Sequence, residues 1–471
     1  MKESAKMTRR SFVGGIAAGA AVGFSMPTFA ASPRWYKGMV HAHSLWSDGR
    51  ALPEQAVKAY KDAGYDFFSL TDHNRIQHDP DRWFPVGKDN DEWPPRVVGE
   101  PVFEVFRRDF PDAPVRTVNG KRQVRLATLK ELRERFDEPG KFLLLPGCEV
   151  TTKGPDREGR VRELHMNYVG IDDVLDSVRN EPLVTKLKGG DVTGTLARTA
   201  AETAALAERK GAGTHVFFLN HPQWRYYDIH PQSVIDAPEV RFFEVCNNGS
   251  SYAPDPLLPQ DGFDNDRFWD AVNATRAKRG EKLLYAVASD DTHHYPGTGS
   301  AKKYFTFGGG WIVVRAGDLT QEALLSAMHR GDFYASCGVE FEDIAFDRKA
   351  GRLSVSLPAK PGVAYTVRFI TTKRSAALAP VRTVTTPSSG KAPVRDVPVY
   401  SDEVGAVVKT VTFAKGVRAE ASYTLADDDL YVRARVESDE PTAYSRRNLM
   451  HPKMKTGWTQ PYTLNSRTSR S

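Results

Sequence analysis

A helix-patterned stretch followed by a short apolar run recurs along the first two thirds of the chain, and no other feature constrains the fold as much. "LPEQAVKAYKDAG" (52–64) spaces its apolar residues at helical intervals, with Pro53 near its start and Gly64 at its end. That is the asymmetry expected of a helix start and stop. "YDFFSL" (65–70) then reads as a buried strand. In the same way "LATLKELRERF" leads to "KFLLLPG", "TLARTAAETAALAERKGAG" to "THVFFLN", and "DRFWDAVNATRAKRG" to "KLLYAVAS". Repeated helix–strand units predict an α/β fold, a mainly parallel sheet or barrel, over residues 31–338. From about residue 339 to 471 the texture changes to short Val/Thr/Tyr-rich runs such as "RLSVSL" and "AYTVRFITT", broken by Pro, Gly and Ser. These predict a β-sandwich-like C-terminal domain. Residues 78–125 interrupt the alternation, rich in Pro, Trp and charge and without clean periodicity. Their aromatics favour a lid over a site rather than a disordered insert.

The first thirty residues stand apart. Lys2, Lys6, Arg9 and Arg10 form a basic head, Phe12 to Met26 is a soft apolar stretch, and "PTFAAS" offers small residues for cleavage near Ala30. This predicts a signal peptide, too short and weak to span a bilayer. "TRRSF" resembles a twin-arginine signal, which implies the twin-arginine export machinery as a partner and a periplasmic or secreted destination. The segment also carries half of the net charge of +6. The remainder is close to neutral, with no basic run interleaved with aromatics, so neither nucleic acid nor stable membrane insertion is expected. Cys148, Cys246 and Cys337 are odd in number and widely spaced, unlike a disulfide framework.

Nearly every predicted strand ends in a potential metal ligand. His41 and His43 follow the first strand, and alternation along a strand points residues two apart to one side. The next strand delivers Asp72 and His73, and "KFLLLPG" is followed by Cys148 and Glu149. "ELHMNYVG" places His165 near the start of a strand, while "THVFFLNHP" ends in His221. "RFFEVCNN" carries Glu244, and "LLYAVASDDTHH" ends in Asp290, Asp291, Thr292 and His293. Functional groups of parallel α/β folds gather at the carboxyl ends of strands. His and carboxylate together suit Zn, Mn or Fe. The other histidines (His78, His215, His230, His294, His329 and His451) are read as surface, core or supporting residues.

"HAHSLWSDG", "TDHN", "PGCE", "HMNYVG", "NHP" and "DDTH", in this order over roughly 39–293, resemble the PHP superfamily, the polymerase and histidinol phosphatase metallohydrolases. "HRGDFYASCGVEFEDI" (329–344) and "GWTQPY" (457–462) also look like segments of exported relatives, among them predicted phosphoesterases and carbaryl-type ester hydrolases. The resemblance implies a distorted (βα)7 barrel and two to three divalent ions. It implies that His41, His43, Glu149 and Asp291 hold a first ion. Glu149, His165 and His221 would hold a second, with Glu149 bridging, and Asp48, His73 and His293 a third. Some relatives carry His where this chain has Asp48. Asp290 and Asp291 compete for one role, and the same-face spacing of Asp291 and His293 favours Asp291.

Two cations sharing a water present hydroxide at neutral pH and take up charge on the developing oxyanion. His73 or Asp72 is the candidate catalytic proton donor to the leaving oxygen. Arg50, Arg75 and Arg225 lie beside the metal motifs and could hold the free oxygens of a phosphorylated substrate. The reading is a metal-dependent hydrolase of a small-molecule ester, with phosphoesterase leading. Carboxylic or carbamate ester hydrolysis by the same centre is the alternative, and a non-catalytic binding protein on the scaffold is the third.

Overall fold

The computed structural model describes residues 33–88, 92–183, 190–222, 229–249, 265–298, 307–386, 394–442 and 452–464. The proposed signal peptide, Arg225 and His451 fall outside these residues. The first half contains β1 (Arg34–Met39), α1 (Pro53–Asp62), β2 (Phe67–Leu70), β3 (Trp83–Gly87), β4 (Val98–Gly99), α2 (Glu100–Asp109), β5 (Val115–Val118), β6 (Lys121–Arg125), α3 (Leu129–Phe136), β7 (Leu143–Pro155) and β8 (Val161–Val169). There follow α4 (Val192–Lys210), β9 (Val216–Leu219), α5 (Pro231–Ile235), β10 (Phe242–Asn247), α6 (Asn265–Arg279), β11 (Tyr285–Ser289), β12 (Trp311–Ala316), α7 (Gln321–Arg330) and β13 (Phe333–Ser336). The C-terminal strands are β14 (Asp343–Asp347), β15 (Arg352–Leu357), β16 (Tyr365–Thr371), β17 (Arg382–Thr386), β18 (Arg395–Val399), β19 (Ala406–Phe413), β20 (Ala419–Thr424), β21 (Arg433–Pro441) and β22 (Met454–Thr459). None of the described helices is long and apolar enough to cross a membrane.

Seven strands make a ring. β1, β2 and β7 are parallel neighbours, and so are β9, β10 and β11. Between the two sets lies β8, antiparallel to both β7 and β9. The ring closes where the residues after β11 meet those after β1. Ala42 and Thr292 form a parallel bridge, the His43 N–H donates to Thr292 O at 2.9 Å, and the Asp291 N–H to His41 O at 3.0 Å. The floor is apolar because every strand turns a large side chain inward: Tyr36, Phe67, Leu145, Val169, Phe218, Phe242 and Val287 share one buried cluster with Leu324, Leu325 and Met328 of α7. The metal-ligand candidates occupy the opposite rim.

The four expected helix–strand units are present, α1–β2, α3–β7, α4–β9 and α6–β11, and β8 enters the ring without a helix before it. β7 and β8 are a hairpin, so His165 sits within a reversed strand, across from Thr151. "LLLPG" does not end a strand either. Pro146 and Gly147 lie inside β7, and the backbone passes so close to β2 and β8 that a Cβ on Gly147 would stand 2.3 Å from Ser69 Oγ and 3.1 Å from Tyr168 O. Only glycine fits there.

Residues 78–88 and 92–125 are folded. β4, β3, β6 and β5 form a four-stranded sheet, turned between β5 and β6 at Asn119-Gly120, both at positive φ, the chemistry of a tight hairpin. α2 buries Val102, Phe103 and Phe106 in the same core as Leu52 and Val57 of the barrel. The segment is therefore built into the core, and its removal is expected to cost the fold itself, beyond any change in substrate range.

The C-terminal strands extend the barrel's sheet. β12 pairs with β1, β13 with β12, and β22 with β13; β21, β16 and β19 continue it. β14, β15 and β20 form a separate three-stranded sheet, and Leu353, Val355 and Ala421 from it share a core with Val367, Phe369 and Val436. This is the sandwich-like arrangement, fused to the α/β part. A buried ionic clamp reinforces the junction: Arg433 of β21 donates to both oxygens of Asp270 on α6, at 2.8 and 2.6 Å, and stands 2.8 Å from Asp266.

Candidate metal centre

The rim gathers eight of the residues singled out by sequence into three overlapping groups. His41, His43 and Asp291 present ligand atoms within 4.8 Å of one another, as do His73, Glu149 and His165, and again His43, Asp48, His73 and His293. In the first group His43 Nε2 is 3.0 Å and His41 Nε2 3.4 Å from Asp291 Oδ1. Glu149 links this group to the second. Its Oε1 is 3.3 Å from His41 Nε2 and 2.9 Å from His165 Nδ1, and its Oε2 is 3.3 Å from His43 Nε2 and 2.7 Å from His73 Nδ1. His221 stands farther off, with Nε2 3.8 Å from Glu149 Oε1 and 3.9 Å from Asp291 Oδ2. In the third group His293 Nε2 is 3.2 Å and His73 Nε2 3.5 Å from Asp48 Oδ2.

Backbone geometry helps to aim these groups. His221 and Asp291 both adopt positive φ, 24° and 50°, a conformation in which His and Asp are tolerated better than most residues. Such conformations concentrate where function fixes the chain.

The donor set fits divalent cations. Glu149 and Asp48 are buried, and the side chains placed at ion-pair distance from them are histidines. Glu149 Oε2 lies 2.7 Å from His73 Nδ1, a nitrogen that also contacts Thr151 Oγ1. Burial alone would push the carboxyls of Glu149 and Asp48 up. Charge on His73, His165 and His41 holds Glu149 well below the carboxylate range, and charge on His293 and His73 does the same for Asp48. Burial pushes His221 down to about 4, so it offers an unprotonated nitrogen at neutral pH.

A second layer orients the ligands. Glu244 Oε1 lies 2.7 Å from His41 Nδ1, leaving Nε2 for an ion, and Glu244 Oε2 accepts the His221 N–H at 2.8 Å. Asn220 donates to Glu149 Oε1 at 2.7 Å. Glu244 is legible in the sequence as another strand-end carboxylate, and its contacts with His41 and His221 give it a positioning role. A His paired with a carboxylate behind it is the arrangement that fixes tautomer and ring angle at metal sites. Replacing Glu244 with Ala should weaken metal binding about 10- to 100-fold, measured by competition with a chromophoric chelator. Unchanged affinity would show that His41 is held by other contacts.

Two residues expected to donate a proton face other partners. Asp72 is not a free proton donor: it accepts from Ser44 N (2.8 Å), Ser44 Oγ (2.9 Å), Ser47 Oγ (2.7 Å) and Gln77 Nε2 (2.7 Å). These four donors tie its oxygens to the "HSLWSDG" loop and to Gln77. His73 turns Nδ1 to Glu149 and Thr151 and Nε2 to Asp48. Asp290 turns away from the cluster, accepting from the N–H groups of Gly308, Gly309 and Gly310 and from Tyr60 Oη. Burial raises it to about 7 against those donors.

Of the arginines, Arg50 donates to the carbonyl of Glu92. Arg75 has a buried Nε without a hydrogen-bond partner. Among the other described histidines, His78 pairs with Asp172 at 2.6 Å and His230 caps α5. His329 contacts His215 O at 2.6 Å.

No family model and no curated protein matches the chain. Among solved structures, it is similar to a two-domain protein of Bacteroides vulgatus containing a "predicted PHP-like metal-dependent phosphoesterase". The identity is 14%, over 91% of this chain and 95% of that one, with a TM-score of 0.36. It is also similar to an amidohydrolase of Chromobacterium violaceum, at 12% identity over 63% of this chain and 96% of that one, with a TM-score of 0.30. Both likenesses are remote, and the functional reading rests on the side chains of this chain.

Proposed function

We propose that the chain is a metal-dependent hydrolase of the PHP type, acting on ester bonds of a small molecule, with phosphoesters as the leading class. The observation that carries this reading is Glu149, a fully buried carboxylate whose Oε1 faces His41 and His165 and whose Oε2 faces His43 and His73. Ions held by these groups, of the Zn, Mn or Fe kind, supply water of lowered pKa and positive charge beside the oxygen on which charge develops. The chain does the rest: Glu149 fixes the separation of the two groups, Glu244 and Asn220 hold the ligands in register, and Arg75, two residues after His73, carries a guanidinium whose buried Nε has no hydrogen-bond partner. That guanidinium is the specific reason for placing phosphoesters ahead of carboxylic and carbamate esters.

The test is a panel of phosphomonoesters, phosphodiesters, carboxylic esters and carbamates on purified, metal-analysed protein. Turnover should vanish on chelation and return with added metal. Turnover that survives complete metal removal would exclude the reading.

A further inference from the structure

A cleft of 440 Å³ opens where α1 and α3 of the barrel meet the 78–125 segment, and none of its lining residues belongs to the metal-ligand groups. α1 contributes Glu54, α3 contributes Glu131, Glu134 and Arg135, and the segment contributes Asp112 and Arg125. Carboxylates therefore outnumber guanidinium groups, and both guanidinium groups are taken. Arg125 donates to Glu131 at 2.5 and 3.1 Å, and Arg135 holds both oxygens of Asp112. Glu134 is exposed and stands 3.8 Å from Lys130.

Glu54 differs from its neighbours. It is 5% exposed, and its Oε2 is buried without a hydrogen-bond partner. Lys58, one turn along α1, pairs with Asp62 instead. A buried carboxylate without a counter-ion is costly, so it takes up a proton or meets a cation. Burial raises its carboxyl to about 7, with Arg135 and Arg125 pulling it down and Glu131 pushing it up. The cation is not a metal ion. The groups of acidic and imidazole atoms gathered closely enough to ligate one, among the described residues, do not include Glu54, and a hard dication needs several oxygens at once. One carboxylate matches one positive charge. A compact ammonium meets a single carboxylate as a point charge, without the pair of acceptors that suits a forked guanidinium. Ala113, Pro114 and Ala127 complete the lining and give an alkyl stem apolar surface to lie against.

We infer that this cleft is a second binding site, one that takes a primary alkylammonium with its charge on Glu54 and its stem along Ala113, Pro114 and Ala127. The site uses none of the residues of the hydrolase reading and does not depend on it.

The test is calorimetric titration of the metal-loaded protein with n-butylamine, and with n-butanol as the uncharged stem, at pH 6 and pH 8. An alkylammonium, at about 10.4 as in lysine, stays charged at both. The Glu54 carboxyl, at about 7, gains its charge over that interval, so affinity for n-butylamine should rise about tenfold as the pH is raised. Glu54→Gln keeps the shape of the protonated side chain. It should abolish the rise and weaken binding at pH 8 by about tenfold or more, with bound metal unchanged. n-Butanol should not bind. N-Acetyl-lysine amide, titrated alongside, separates a lysyl side chain from a free amine as the source of the ammonium: the tighter binder identifies it. Binding that ignores pH, survives Glu54→Gln or is matched by n-butanol would overturn the site, as would failure of both amines to bind.

Discussion

Glu149→Gln should lower bound metal by at least one ion per chain and reduce turnover by several orders of magnitude. The amide preserves the shape of the side chain but removes the charge that lets one group serve both sides of the cluster. In the structure that charge faces four imidazoles at 2.7–3.3 Å. Two dications a few ångströms apart repel, and a shared carboxylate offsets part of that repulsion. Metal content by inductively coupled plasma mass spectrometry, read beside turnover, checks both halves of the expectation. His78→Ala serves as the control, because that side chain pairs with Asp172 on the surface and should alter neither quantity. Full metal and near-parent activity in Glu149→Gln would remove the two-group assignment.

Arg433→Met should destabilise the fold by about 3–5 kcal/mol, the cost typical of removing one partner from a buried ion pair. Asp270 and Asp266 would both lose their buried cation, and Asp270 also accepts from Tyr431 Oη at 2.7 Å, which anchors it in place. The cost should appear in urea unfolding of the metal-free protein. The double variant Arg433→Met with Asp270→Leu should recover much of it, because the charge left behind, and not the lost attraction, dominates the penalty. A single variant within 1 kcal/mol of the parent would mean that the junction between α6 and β21 relaxes around an unpaired carboxylate.

The site was more legible in the sequence than the path of the chain that builds it. Strand alternation is a local property, so the His41/His43 pair could be read directly, and each strand-end motif announced a ligand type. The β7–β8 hairpin was hidden because strand direction leaves no mark on an apolar run: "ELHMNYVG" reads the same forwards or reversed. The Pro146-Gly147 pair looked like a turn, since only the close approach of Ser69 and Tyr168 explains a glycine in mid-strand. The fold of 78–125 did carry a signal, Asn119-Gly120 between short polar strands, but β5 is exposed throughout and lacks the apolar period that flags a strand. The roles of Asp72 and His73 depended on what their side chains face, which no spacing encodes. The fusion of the C-terminal strands to the barrel rests on long-range pairing of β13 with β22, also invisible to local pattern.

Anomalous diffraction from crystals grown with Mn or Zn tests the central claim most directly. The account predicts two peaks flanking the Glu149 carboxylate, one beside His41, His43 and Asp291 and the other beside His73 and His165, about 3.5–4 Å apart as in two-metal sites. A third peak among Asp48, His73 and His293 would complete the set. A single peak remote from Glu149, or none in metal-replete crystals that are otherwise well ordered, would contradict it.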